Sequence, residues 1–186
     1  MREGRASPGL SWTRNDSVGE AFVYTTSLTV FDRRNPARTQ AHDQTVDLAT
    51  GGVTQDHSSD SVSVAHWRGV NGNARLQLRF GEGHALVLMP MVLTNRTLTH
   101  ATTERDTRVG VPEYATSSAE TEGRFTMMRL NTQYNRLLGN GTRLDMRANT
   151  GEHRWRGDTI VTQRDGAGAL VRTIDNFTDW RDRSHT

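Results

Sequence analysis

The chain has 186 residues, of which 33% are hydrophobic, 6% aromatic and 24% charged, with a mean hydropathy of −0.70; that suffices for one domain and is too polar for a large dry core. All 23 basic residues are arginine and there is no cysteine, which excludes disulfides, thiolate metal sites, iron–sulfur clusters and cysteine nucleophiles. Against 21 acids the net charge is only +2, no footprint of nucleic-acid binding, so no nucleic acid is expected as a partner.

The N-terminal residues carry no apolar stretch of the kind a signal peptide needs. The longest near-apolar run, Ala85 to Leu93, is far below the roughly 18 residues of a membrane helix. A membrane β-barrel stays open, because its strands need only about 10 residues of alternating polarity. The glycines and clustered threonines disfavour helix throughout, and the chain reads as all-β.

In chain order, strands are expected at about 8–14, 20–34 and 59–80, the last with a bulge at Asn71-Gly72-Asn73, and then at 84–103, 121–137, 142–155 and 170–180. Two of them show their faces plainly. Leu144, Met146 and Ala148 alternate with Arg143, Asp145, Arg147 and Asn149, and Leu76, Leu78 and Phe80 alternate with Arg75, Gln77 and Arg79. Short turns are read at Asn15 to Gly19, at Gly81-Glu82-Gly83 and at Leu138-Gly139-Asn140-Gly141. Polar stretches at about 35–58, 104–120 and 156–169 read as long loops, so short and long connections alternate. Ala85 to Leu93, apolar on both faces, departs from this pattern.

The hairpins Ala74-Arg75-Leu76-Gln77-Leu78-Arg79-Phe80-Gly81-Glu82-Gly83-His84-Ala85-Leu86-Val87-Leu88-Met89-Pro90 and Leu130-Asn131-Thr132-Gln133-Tyr134-Asn135-Arg136-Leu137-Leu138-Gly139-Asn140-Gly141-Thr142-Arg143-Leu144-Asp145-Met146-Arg147 resemble the outer-membrane barrel of TonB-dependent receptors, which import ferric siderophores and similar scarce nutrients into Gram-negative bacteria. The resemblance implies an antiparallel meander of long strands forming part of a transmembrane β-barrel in the cell outer membrane. It implies outer-membrane lipid and lipopolysaccharide as surroundings and, in an intact receptor, the TonB energy-coupling complex and an anionic ligand such as a ferric siderophore as partners. Nothing before Leu10 supplies the family's plug domain, and Arg183-Ser184-His185-Thr186 lacks its terminal aromatic strand end. The chain therefore reads as an incomplete barrel, an internal fragment not transport-competent alone. A soluble or secreted β-sandwich or β-solenoid binding domain and a small structural outer-membrane barrel remain the alternatives.

On this reading Arg33, Arg34, Arg38, Arg105, Arg108, Arg154 and Arg156 flank the long loops and are the candidates to meet an anionic ligand, with solvated loop charge as the plainer role. Arg75, Arg79, Arg129, Arg143, Asp145 and Arg147 would face the lumen and form structural charge ladders across strands. Trp12, Trp67, Phe80, Tyr134 and Trp155 fall near strand ends, as interface aromatics or as ordinary packing. His42 and His57 share an acidic stretch with Asp43, Asp47, Asp56 and Asp60, but the spacing is not that of a metal site. No catalytic residue, metal or cofactor is expected: no Gly-x-Ser-x-Gly elbow occurs, and Gly81-Glu82-Gly83 lacks the lysine of a phosphate loop. Arg156-Gly157-Asp158 is a chance match to an adhesion tripeptide.

Overall fold

Alternating apolar and polar residues, punctuated by glycine- and Asx-bearing turns, satisfy their backbone groups by pairing side by side. The computed structural model, which describes residues 7–81, 83–139 and 141–186, carries that pairing through the chain. Seven strands form one antiparallel sheet in which each pairs with its neighbours in sequence: β1 (Gly9–Val18), β2 (Phe22–Val46), β3 (Val53–Arg79), β4 (His84–Val109), β5 (Thr116–Leu137), β6 (Arg143–Arg164) and β7 (Leu170–His185). The fold is all-β, an antiparallel meander whose sheet is not closed, with no helix among the described residues. The first six residues, Glu82 and Asn140 lie outside the described residues, and with them the middle of two expected turns.

Every expected strand is present and runs further than its pattern suggests. The long loops expected at 35–58, 104–120 and 156–169 are a correction: most of those residues are strand, and the connections there are confined to 47–52, 110–115 and 165–169. Short and long connections therefore do not alternate. These segments are rich in threonine, serine and charge on both faces of the strands, which erases the alternation of polarity without breaking the strand.

The turns carry their own hydrogen bonds. Asp47 Oδ1 accepts the Ala49 and Thr50 amides at 2.8 and 3.4 Å, and the chain reverses through Gly51 at φ 68°. Those donors hold the Asp47 carboxyl below the usual carboxylate range. Asp165 repeats the device, accepting the Ala167 and Ala169 amides at 2.9 Å ahead of Gly168.

The bulge expected at Asn71-Gly72-Asn73 is not formed: Gly72 pairs with Leu28 and Val92 in unbroken register. Irregularities lie instead near the 47–52 and 165–169 turns, at Thr45/Val46, Asp56/His57 and Gln163/Arg164. Residues in register share a face, so even-numbered residues of β1 to β6 lie together, joined by the odd-numbered residues of β7, where the parity changes.

Exposure separates the faces. From Pro90 to Arg108 the even-numbered residues are exposed and the odd-numbered ones half-buried or buried, so the sheet curls toward the odd side. The odd side is called the inner face below, the even side the outer face. The most shielded side chains, Val87 at 4%, Gln163 at 6% and Thr97 at 8%, all point inward. Val87 is the one buried hydrophobic residue among the described residues and no side chain there is fully buried, so the sheet is a single layer.

Candidate functional site

The outer face is divided by height. Next to the connections 19–21, 80–83 and 138–142 it presents Phe22, Leu78, Leu86, Tyr134 and Met146 in one cross-strand row, and Tyr24, Leu76, Leu88 and Ala148 in the next. Leu28, Val30, Val70, Val92, Met128 and Leu130 continue the apolar band upward on β2 to β5, while on β6 the same rows carry Thr150, Glu152 and Arg154. Several of these are exposed, among them Met128 and Met146 at 57%. Small side chains at Gly72 and Ala74, with Pro90, Val92, Met128 and Leu130, leave a groove of about 700 Å³ in the band. On β1 the band is interrupted by Arg14 and Asp16, which neutralise each other at 2.7 Å beside the Tyr24 hydroxyl.

Above the band the outer face is charged and cross-linked between strands. Arg38 forks onto Asp60 from β2 to β3, Gln40 adds a donor at 3.2 Å, and the Asp60 carboxyl is pulled down to about 2 by these bonds. Asp32 accepts from His66 at 2.5 Å and Arg68 at 2.8 Å. Arg96 meets Glu122 at 2.6 Å, and Asp179 is shared by Arg154 at 3.1 Å and Arg156 at 2.9 Å, which lower its carboxyl pKa.

The inner face has three zones. Near the 19–21 end, Arg75, Arg79, Arg129, Arg143, Asp145 and Arg147 all lie on it, the common face expected of them. The expected charge ladder is absent. Arg143 pairs within its own strand with Asp145 at 3.2 Å, Arg129 donates to Asn149 at 3.1 Å, and Arg75 approaches Met89 Sδ at 3.9 Å. The reason is composition: across the strands these arginines face Gln133, Leu137, Met91 and Gly151 rather than acids. Val87, Met89, Met91 and Leu93 run between them as an apolar inner stripe, which explains why Ala85 to Leu93 is apolar on both sides.

At mid-height Phe31, Phe125, Trp155 and Trp180 occupy one inner row, with Trp67 a step above. Arg33 lies over the Phe31 ring at 5.2 Å, and His153 meets Phe125 edge-on at 6.3 Å. Glycines make room for the rings. A Cβ on Gly69 would lie 2.6 Å from the tip of Phe31, and one on Gly123 would lie 2.6 Å from Trp155 Cζ2.

At the far end, Arg105 is mostly buried, 13% exposed, and points its guanidinium at His57 Nε2, 2.6 Å away, with Glu113 at 3.9 Å and the Tyr114 ring at 5.3 Å. Asp43 reaches the same His57 nitrogen at 3.3 Å, and Arg172 extends the cluster to Glu113 at 3.7 Å and to Gln163. His57 Nε2 thus sits between the Arg105 guanidinium and the Asp43 carboxylate. His57 Nδ1 and the neighbouring Thr107 Oγ1 are buried without a hydrogen-bond partner among the described residues. The cluster thus holds a mostly buried guanidinium beside two buried, unmet polar atoms on the inner face.

The candidates drawn from the sequence are therefore dispersed. Arg33, Arg34 and Arg38 are in β2, Arg105 and Arg108 in β4, Arg154 and Arg156 in β6; none lies in a connection, and they do not form one cluster. Arg33 and Arg105 face inward, whereas Arg34, Arg38, Arg154 and Arg156 face outward. Trp12 and Tyr134 are on the outer face and Phe80 is in the 80–83 connection, but the odd-numbered Trp67 and Trp155 point inward and cannot join an outer girdle. His42, bonded to Asp56 at 2.8 Å, lies on the opposite face from His57, so the two do not share a site. Glu113, Tyr114, Gln163 and Arg172 escaped sequence reasoning, because only the register brings β4, β6 and β7 together there. No protein-family model matches the chain, and no curated protein is detectably similar to it.

Proposed function

We propose that this sheet is a wall segment of an outer-membrane β-barrel of the TonB-dependent receptor type, taking part in uptake of an anionic nutrient such as a ferric siderophore. The outer face meets lipid and lipopolysaccharide, the inner face lines the lumen, and the 47–52, 110–115 and 165–169 connections face the cell exterior. The observation that carries this reading is the division of the outer face by height. From Phe22 to Val30 the apolar rows cover about 27 Å of strand at ~3.4 Å per residue, or about 21 Å of height at the usual barrel tilt, close to the ~25 Å apolar band of outer-membrane barrels.

Strands of 22 to 27 residues in β2 to β6 support a receptor-type barrel, since they extend far beyond that band. Open edges at β1 and β7 are costly in lipid, so the wall is completed by further strands in the assembled barrel. Arg105, His57, Arg172 and Arg33 on the inner face are the residues this reading assigns to an entering anion. The inner stripe from Val87 to Leu93 favours a covering element inside the barrel.

The absence of native cysteine makes the test direct. Single cysteines at Leu28, Leu76, Leu88 and Leu130, in chain expressed in a Gram-negative host, should resist an aqueous thiol reagent; cysteines at Thr25, Gln77 and Gln133 should react. Chain found in the soluble fraction, or labelling without a period of two, would refute the reading.

A further inference from the structure

Two groups of opposite charge compete for one nitrogen in the far-end cluster. His57 Nε2 lies 2.6 Å from the Arg105 guanidinium and 3.3 Å from the Asp43 carboxylate. An imidazole nitrogen carries either a lone pair or a proton, so it accepts from the arginine or donates to the aspartate and does not do both. His57 and Arg105 are mostly buried, whereas Asp43 is exposed. The choice of partner therefore decides whether a shielded guanidinium keeps its place.

Arg105 also holds the 110–115 connection. Its guanidinium stands 3.9 Å from Glu113 and 5.3 Å from the centre of the Tyr114 ring, and its amide donates to Ala115 O at 2.8 Å. From β7, Arg172 reaches the same Glu113 at 3.7 Å. The charged and titratable groups around His57 are thus Asp43 on β2, Arg105 on β4 and, beyond Arg105, Glu113 and Tyr114 in the connection and Arg172 on β7. Thr107, the register partner of His57 on β4, is uncharged; its Oγ1 and His57 Nδ1 are buried without a partner among the described residues, so the other side of the ring has no competing anchor there.

We infer that His57 is a proton-operated latch on the 110–115 connection. With a lone pair on Nε2 the ring accepts from Arg105 and the latch is closed. With a proton on Nε2 the ring donates to Asp43, two cations face each other at contact distance, and Arg105 is driven off the ring. Glu113 is exposed and moves with the guanidinium, so the connection lifts from the wall and Tyr114 loses its cation. The open form binds one proton more than the closed form, so opening is favoured as pH falls. Imidazole is the side chain whose ordinary titration brings such a change within about pH 5–8.

To test it, the full chain is refolded in detergent micelles and amide exchange is followed by mass spectrometry at about pH 8 and about pH 5.5, expressed as protection so that the intrinsic pH dependence of exchange cancels. Protection in residues 111–115 of wild type should fall about fivefold at the lower pH, with 165–169 unchanged. His57→Gln, which keeps an acceptor for Arg105 and takes no proton, and Arg105→Ala, which has no latch to release, should each give equal protection at both pH values. In wild type the His57 ring signals should titrate by NMR with the same midpoint as the loss of protection, and Asp43→Asn should move that midpoint to lower pH. Equal wild-type protection at the two pH values, a fall that persists in His57→Gln, a His57 midpoint apart from that of the protection loss, or a midpoint unmoved by Asp43→Asn would overturn the latch. The inference uses only the register of β2 to β4 and the connection beside them, so it stands or falls independently of the membrane reading.

Discussion

Gly123 and Trp155 give the sharpest test of the packing. Gly123 has no positive φ, so alanine is allowed by the backbone, but its Cβ would sit 2.6 Å from Trp155 Cζ2, and a Cβ on Gly157 would sit 3.1 Å from Nε1 of the same indole. Overpacking of this kind costs about 1–3 kcal/mol, and replacing a strand glycine returns about 0.5–1 kcal/mol, so Gly123→Ala should destabilise by about 1 kcal/mol. Trp155→Ala should cost about 2 kcal/mol, roughly half the value for a fully buried tryptophan, because the ring is only half shielded. In the Trp155→Ala background the clash is gone, and Gly123→Ala should become stabilising by about 0.5 kcal/mol. The sign reversal is the prediction. Urea unfolding of the reconstituted chain, followed by circular dichroism so that the loss of one of four tryptophans does not matter, measures all four corners of the cycle. If Gly123→Ala has the same effect in both backgrounds, within about 0.3 kcal/mol, the ring does not lie on that glycine and the inner aromatic row is wrongly described.

Other perturbations probe other heights of the sheet. On the proposed membrane reading, Leu76→Arg on the outer face of the band should destabilise the chain in lipid by about 2–4 kcal/mol, whereas Gln77→Arg, one residue on and facing inward, should fall within about 0.5 kcal/mol of wild type; equal effects would contradict that reading. Asp60 carries a depressed pKa of about 2 in the fold, so its contribution is complete above the unfolded value near ~3.9 and is lost as pH falls toward 2. An acid titration of wild-type stability should therefore show a decline below about pH 4 that is smaller in Asp60→Asn. Arg105→Ala removes the cation beside Glu113 and Tyr114, and amide exchange in residues 111–115 should quicken about fivefold by mass spectrometry, with unchanged exchange at 165–169 as the internal control.

Period-two patterning was readable only where the two faces of a strand meet different surroundings. Around Leu76 and Leu144 one face is apolar and the other polar, and both strands and their faces follow from sequence. From Thr39 to Thr45 and from Glu104 to Thr107 both faces are polar, the hydrophobic signal vanishes, and strand has the composition of loop. Parity counted from Leu76 and Leu144 would have sent Trp67 and Trp155 inward, a signal present in the sequence but overridden by their place near presumed strand ends. The Asx turns at Asp47 and Asp165 were also legible in principle, each an aspartate shortly ahead of a glycine.

Arg68, Arg96, Arg124 and Arg156 pair in one cross-strand row on the outer face and show where register, rather than composition, becomes informative. Reflection through the recognised turn at 80–83 brings Arg68 opposite Arg96, and reflection through 138–142 brings Arg124 opposite Arg156. Each pair alone is an ordinary local repulsion. Joining them requires the reflection through 110–115, and a long loop there, as expected from the sequence, would have left the two pairs unrelated. Once that connection is a short turn, four guanidinium groups fall at one height on the outer face of β3 to β6. Like charges held at one height repel, so the row is a cost that neither the strand pattern nor the composition of any one segment reveals.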